Sequence, residues 1–294
     1  MAPGPPDMND RMAPPVLIAS FFTLAGPISP FAPTVVSPVP LRRRAEAAAR
    51  AGFRGIGFSA TDLAGSLRSQ TYAEIRSILA DNGLDHVEIE LIRDWISTPQ
   101  EDPDAHRQRN FIIAAAAEIG AVHVKAGTAG PEVPLDRMIE RFAALCDEAL
   151  AAGAGVALEF SPIGRIADLP TARALAVGAG RVRGGLLLDI WHLTRMGLDF
   201  ADLATLPPEI IVHVELSDGP LAPVGDYWQD TISHRVACGE GEFDVAGFLA
   251  AIAAIGYDGP YGVELLSDAF RAMDTDEMAR LAARTGLACF GVRS

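Results

Sequence analysis

The sequence predicts a single (β/α)8 barrel of the TIM type, and three observations carry that prediction. Eight short β-rich runs alternate with eight Ala/Leu/Arg-rich helical runs, the signature of strands joined by helical crossovers. The chain has 294 residues, and barrels of about 250 residues are the usual single-domain case. Six consecutive strands, the third to the eighth, each bring an ionisable residue to their C-terminal end, the end where such barrels carry their chemistry.

In chain order, residues 1–14 are Pro-rich and read as a disordered leader, with Met12 an alternative start, and the barrel domain is expected over 15–294. The apolar run 14–27 has the length of a signal peptide core, but Asp7 and Asp10 stand in its leader and Ser20, Thr23 and Gly26 interrupt it. It reads as a first buried strand over 16–20. The other strands are expected at 54–58, 86–91, 121–125, 156–160, 185–189, 210–215 and 262–265. Helices are expected at 41–51, 71–82, 103–119, 135–152, 169–177, 200–205, 245–255 and 275–285, six of them stopping at or next to a glycine: Gly52, Gly83, Gly120, Gly153, Gly256 and Gly286, as a helix C-cap requires. An open doubly wound sheet alternates as well, but no GxGxxG follows the first strand. Gly55 and Gly57 lie inside the second strand, and there is no Walker motif and no GxSxG.

Bulk properties exclude several classes. A net charge of −14 repels nucleic acid unless a basic stripe exists, and the one basic run, Arg42-Arg43-Arg44, opens a helix and reads as a solvated face. No run approaches the roughly 20 apolar residues of a membrane span. Three widely spaced cysteines form no disulfide framework, which favours a reducing, cytoplasmic setting. The expected partner is a small molecule, a carbohydrate or polyol acid. The Ala-rich outer helices leave room for a homodimer.

The strand-end residues are Glu90, Lys125, Glu159, Asp189, Glu215 and Glu264, and from Glu90 to Glu215 they follow at 35, 34, 30 and 26 residues, one βα unit each. Five carboxylates at one rim raise one another's pKa unless a cation relieves them. An oxygen-only donor set suits Mg²⁺ or Mn²⁺, with Co²⁺ or Zn²⁺ as further candidates. His192 lies one turn past Asp189. It either ligates the metal, hydrogen-bonds a substrate hydroxyl, or caps the short helix that follows. A long loop, residues 217–242, separates Glu215 from the last unit, and loops of this length in compact domains are usually functional. Within it Arg235 reads either as a clamp for an anionic or polyol group or as the partner of a loop acid. Lys125 either neutralises its acidic neighbours or acts as a Schiff-base amine. His213 faces the same side as Glu215, one layer deeper.

Five segments resemble a known family: Leu158-Glu159-Phe160, Leu188-Asp189-Ile190-Trp191-His192, Val214-Glu215-Leu216-Ser217-Asp218, Cys238-Gly239-Glu240-Gly241-Glu242-Phe243-Asp244, and Gly256 through Glu264. They are similar to the xylose isomerase-like barrel superfamily, the sugar phosphate isomerase/epimerase group that includes ketose 3-epimerases, inosose dehydratases and 3-dehydroshikimate dehydratases. The resemblance runs from about Val16 to Leu287. It implies that Glu159, Asp189 and Glu264 bind the metal, that His192 and Arg235 contact substrate, and that Glu159 and Glu264 form the acid/base pair. Two departures stand out. The seventh strand ends on Glu215, before Asp218, where the family commonly has a metal-binding histidine. Arg165 stands six after Glu159, where the ketose 3-epimerases have a glutamate, which favours an acidic or phosphorylated substrate.

The expected activity is metal-dependent isomerisation or epimerisation of a sugar, sugar phosphate or sugar acid, begun by proton abstraction next to a carbonyl. Glu159 and Glu264 are the expected catalytic pair. Glu159, Asp189, Glu215 and Glu264 are the expected ligands, and His192, Arg235, Lys125, Glu90 and Arg165 the expected substrate contacts. The alternative within enzymes is a dehydratase of an inosose or dehydroshikimate-like acid. The alternative outside enzymes is a catalytically silent sugar-binding barrel, suggested by the missing seventh-strand histidine. An endonuclease of the same fold is disfavoured by the −14 charge and by only six histidines.

Overall fold

The strands carry apolar residues on one face and bring polar ones to the other at or just past their C-terminal ends, and the computed structural model, which describes residues 15–292, shows where each face goes. The leader expected over 1–14 lies outside the described residues. The strands are β1 (Leu17–Ala19), β2 (Gly55–Ser59), β3 (His86–Ile92), β4 (His123–Ala126), β5 (Gly155–Glu159), β6 (Gly184–Asp189), β7 (Ile211–Leu216) and β8 (Tyr261–Val263). They pair in parallel in sequence order, and β8 closes onto β1. Every strand boundary falls within two residues of its expected place. The expected (β/α)8 barrel is therefore the observed one.

The outward strand residues, among them Ile56, Phe58, Val87, Ile89, Leu186, Leu188 and Val214, are fully buried against the helices. Helices Leu41–Ala51, Pro103–Ile119 and Val245–Ile255 have the expected bounds. Gly52 and Gly120 end two of the outer helices at φ of 100° and 72°, a conformation that costs a side chain about 1 kcal/mol or more. Tyr72–Asp81 opens with a reciprocal cap, Thr71 Oγ1 accepting from the Glu74 N–H and Glu74 accepting from the Thr71 N–H. Such a cap is worth about 1 kcal/mol.

Three expectations need correction. The last helix, Thr275–Ala288, runs through Gly286 instead of stopping there. A Cβ at Gly286 would lie 3.2 Å from both Leu17 and Val263, so this glycine lets the helix approach the barrel wall. The run at 200–205 is a 3-10 helix. Arg44 is not solvated: it is buried, with its guanidinium 2.6 Å from Asp62. Short helices stand at Phe21–Leu24, Ala60–Ser66, Ile190–Arg195, Tyr227–Ser233 and Asp268–Arg271, of which only the one after Asp189 was expected. All sit past strand C-termini and build the rim. Among the described residues no helix is long and apolar enough to cross a membrane.

Candidate active site

The inward faces of the strands are strongly polar, unlike the Val/Ile/Leu layers that fill most such barrels. Glu88 and Glu90 on β3, His123 and Lys125 on β4, Asp189 on β6, and His213 and Glu215 on β7 are all buried. Glu159 ends β5, and Ser20 and Glu264 follow β1 and β8. Strand spacing sets two tiers. Glu90, Lys125, Glu159, Asp189, Glu215 and Glu264 form the upper rim, and Glu88, His123 and His213 lie two residues deeper on their strands. Glycines make the room: a Cβ at Gly262 would lie 2.7 Å from His213 Nε2, and one at Gly57 3.0 Å from Glu88 Oε1.

Two buried cations knit the rim together. Lys125 Nζ lies 2.9 Å from Glu88 and 3.0 Å from Glu90, and contacts Glu215 Oε1, which also accepts from Ser20 Oγ at 2.8 Å. These acids hold the ammonium well above its ordinary value despite burial. Held among three carboxylates, the amine takes the neutralising role, and its raised pKa disfavours the nucleophilic one. Arg235 comes from the loop after β7 and bridges Asp189 at 3.1 Å and Glu264 at 3.0 Å, its guanidinium lying 5.1 Å from the Trp191 ring centre. The loop reading of Arg235 is thus half met: it forms an ion pair, but with rim acids rather than loop acids.

His192 is the third basic group. Its Nε2 lies 3.1 Å from Glu159 and 3.6 Å from Asp189, and its Nδ1 2.8 Å from the Tyr227 hydroxyl. Burial alone would lower the imidazole, but Asp189 and Glu159 outweigh it and hold it above its ordinary value. Burial would likewise raise Glu159, yet its hydrogen bond to His192 brings it down to about 2. Burial pushes Glu90 up to about 8, Lys125 offsetting only part of the cost. Burial also raises Glu264, against the pull of Arg235 and Lys125, and it raises Glu215 well above the carboxylate range.

Burial, with neighbouring carboxylates adding to it, disfavours the charged forms of these acids, and a cation shared by their oxygens would relieve that cost. Oxygens of Glu159, Asp189, Glu215 and Glu264 all lie within 4.8 Å of one another, close enough to share one ion. Glu215 Oε2 is buried with no hydrogen-bond partner. The residues present therefore fit a divalent cation.

A cleft of about 360 Å³ opens above the rim, lined by Glu90, Glu159, His192, Arg235 and Glu264 among others, a volume typical of small-molecule sites. Lys125, Asp189 and Glu215 lie under its floor, fully buried. Phe22, Leu91 and Trp228 supply apolar wall. Arg165 does not reach it: the side chain is exposed and donates to the Gly130 carbonyl at 2.7 Å. Arg93, which carried no sequence signal, does line the cleft, and it has no ion-pair partner among the described residues. Tyr227 was also missed, being one aromatic in a long loop. Ser20 and Glu88 had a readable signal, Ser20 as the polar stop of β1 and Glu88 as the alternate residue before Glu90. Asp218 organises the loop: its two oxygens accept the N–H groups of Gly219, Gly239, Gly241 and Phe243 at 2.7–3.0 Å.

The sequence profile of the xylose isomerase-like TIM barrel family matches residues 45–289, as the motifs led one to expect. A 3-dehydroshikimate dehydratase of Pseudomonas aeruginosa is 30% identical over 243 residues, covering 80% of this chain and 37% of that protein. The chain thus spans well under half the length of the curated relatives it matches. Two solved structures share the fold. A xylose isomerase-like TIM barrel/4-hydroxyphenylpyruvate dioxygenase fusion protein superposes with a TM-score of 0.79 at 23% identity, over 93% of this chain and 42% of that one. An IolI protein solved with a bound zinc atom gives a TM-score of 0.79 at 17% identity, over 93% and 97% of the two chains.

Proposed function

We propose that this chain, which belongs to the xylose isomerase-like TIM barrel family, is a dehydratase: a lyase that removes water from a polyhydroxylated cyclic keto acid of the 3-dehydroshikimate kind. The observation that carries this reading is an acid and a base on one cleft. His192, whose pKa Asp189 and Glu159 raise above its ordinary value, and Glu264, raised by burial, both line it, 3.1 Å separating His192 Nε2 from Glu159. The 3-dehydroshikimate dehydratase relatives support it.

A divalent cation held by Glu159, Asp189, Glu215 and Glu264, with Mn²⁺ or Mg²⁺ favoured by the oxygen-only donors, would supply Lewis-acid stabilisation of negative charge on a substrate oxygen. The chain's own residues do the rest. Glu264 takes the proton from the carbon next to the carbonyl, a step that favours a base whose pKa lies nearer neutrality than that of an ordinary carboxylate. The electron pair left behind forms a C=C bond as the C–O bond to the β-hydroxyl breaks. His192 gives its Nε2 proton to the departing hydroxyl, which leaves as water. Glu159, ionised, keeps His192 charged for that donation, and Tyr227 fixes the ring through Nδ1. Arg93, a cation in the cleft lining with no ion-pair partner among the described residues, binds the substrate carboxylate.

Isomerisation or epimerisation, the leading expectation from the sequence, keeps one specific support: Glu159 and Glu264 both line the cleft. It asks for two bases of similar strength, whereas Glu159 lies near 2 and Glu264 is raised. Product chemistry separates the two. Incubation of the Mn²⁺-loaded enzyme with 3-dehydroshikimate should generate a strongly ultraviolet-absorbing conjugated product. Arg93→Met should raise KM about tenfold or more, the loss of one charge-assisted pair, with kcat little changed. Absence of that product, together with solvent deuterium exchange into recovered ketose substrates, would replace the dehydratase by an epimerase.

A further inference from the structure

We propose that Glu88, His123 and His213 form a second metal site, one tier below the acidic rim in the barrel interior, and that it takes zinc. None of the steps above uses these three residues, and the inference does not rest on the dehydratase reading.

The spacing is the first ground. Glu88 Oε2 lies 3.2 Å from His123 Nε2 and 3.3 Å from His213 Nε2, and donor atoms of the three residues all fall within 4.8 Å of one another. Tetrahedral zinc with bonds of about 2.0–2.1 Å sets its donors about 3.3 Å apart. An ion fits between these atoms with only small adjustments. The second ground is what the donors lack. Among the described residues ten buried side-chain nitrogen and oxygen atoms have no hydrogen-bond partner, and five belong to this trio: both Glu88 oxygens, of which Oε1 keeps only its ion pair with Lys125, His123 Nε2 and both His213 nitrogens. The two imidazoles are at ion-pair distance from the carboxylate, yet neither N–H is aimed at it well enough to be a hydrogen bond. Buried polar groups left so are rare without a water or an ion between them.

Room and chemistry point the same way. Gly57 and Gly262 vacate the space beside Glu88 and His213, which any Cβ would invade. Lys125 sits on Glu88 Oε1, at 2.9 Å, and leaves Oε2 to the two imidazoles. The ion and the ammonium can therefore share one carboxylate. Two imidazoles and one carboxylate suit zinc, whereas the all-oxygen rim suits harder ions, so the two tiers should select different metals. A water completes the fourth position. Bound there, zinc ties β3, β4 and β7 together directly beneath Glu90, Lys125 and Glu215.

The test is to strip the purified chain with chelator, dialyse it against zinc in a large excess of Mg²⁺, and collect crystal diffraction on both sides of the zinc absorption edge. An anomalous peak between Glu88, His123 and His213 is expected in the unaltered protein, so the outcome does not depend on a core variant folding. Metal analysis should find one zinc per chain retained in Asp189→Asn/Glu264→Gln, which disables the rim, and lost in His123→Asn/His213→Asn. Water density alone at the trio, or zinc found at the rim and lost with the rim variant, overturns the proposal. Loss of dehydratase activity in the rim variant bears only on the rim.

Discussion

Replacing Lys125 by Met should be the most damaging single change in the barrel interior. The ammonium is 1% exposed and contacts Glu88, Glu90 and Glu215, the first two at 2.9 and 3.0 Å. At about 3 Å and an effective dielectric near 20, each pair is worth roughly 5 kcal/mol of Coulomb energy before desolvation. Desolvation cancels much of that in the intact site. Removing one partner leaves the cost with no return, typically about 3–5 kcal/mol. The sign with pH follows from the groups involved. Lys125 is raised above its unfolded value, so its contribution is complete below about pH 10 and fades as pH rises through its folded value. Glu88 is held well below the carboxylate range, where Lys125 and the two histidines outweigh burial, so its contribution is present above about pH 4.5 and fades in acid. Between these limits the unaltered chain keeps the Lys125–Glu88 pair, and the variant's loss depends on whether its stranded carboxyls are protonated. Urea unfolding in excess chelator should show Lys125→Met destabilised by about 3–5 kcal/mol near pH 8 and by clearly less at pH 5, where its stranded carboxyls can take up protons. Adding Glu215→His, which removes one stranded acid, should recover part of the loss. A loss below about 1 kcal/mol, or one equal at both pH values, would refute the reasoning.

Other perturbations follow from the same geometry. Glu90 is pushed up to about 8 in the fold, so it binds its proton more tightly folded than unfolded and subtracts stability as pH rises from about 4.5 to 8; Glu90→Gln should flatten the metal-free stability profile over that range, as read by thermal melts at stepped pH. Asp218→Asn leaves one acceptor oxygen where four backbone N–H groups converge, and denaturant titration should find it about 2–4 kcal/mol less stable. Gly262→Ala drives a methyl to 2.7 Å from His213 Nε2 and 2.9 Å from Glu215 Cγ; a loss of about 1–3 kcal/mol is expected, with weakened Mn²⁺ uptake by calorimetry because Glu215 must move.

Much of the barrel was legible because two periodicities are written plainly in the chain: strand-end acids at one-unit spacing, and helices closed by glycine. The reading failed where local pattern carries no information about depth. Gly286 looks like a helix stop, but only the packed barrel shows that it is a point of close approach to Leu17 and Val263. The five short rim helices are too brief for a 3.6-residue period to register. Arg235 could be marked as an important cation from its loop, yet its partners, Asp189 and Glu264, lie 46 and 29 residues away in sequence and meet it only when the barrel closes. Arg93 and Tyr227 have no motif at all; the cleft alone identifies them.

Glu215 raised the sharpest question, since the family's usual histidine at that place is neutral and a glutamate adds a negative charge to a site already rich in them. Four carboxylates facing one ion would be over-charged by two against a divalent cation. Lys125 offsets one of these charges from below, its ammonium lying against the same Glu215 oxygen that Ser20 donates to. As a pair, Glu215 and Lys125 carry no net charge, as a neutral histidine would. Arg235 offsets one of the two charges on Asp189 and Glu264 from the side. The free oxygen of Glu215, Oε2, is the one left without a partner, and an oxygen so freed is what a ligand must offer. Read this way, the departure from the family pattern does not weaken the site. The charge that Glu215 adds is met by the buried lysine behind it, so Lys125→Met is expected to disturb the rim as well as the fold.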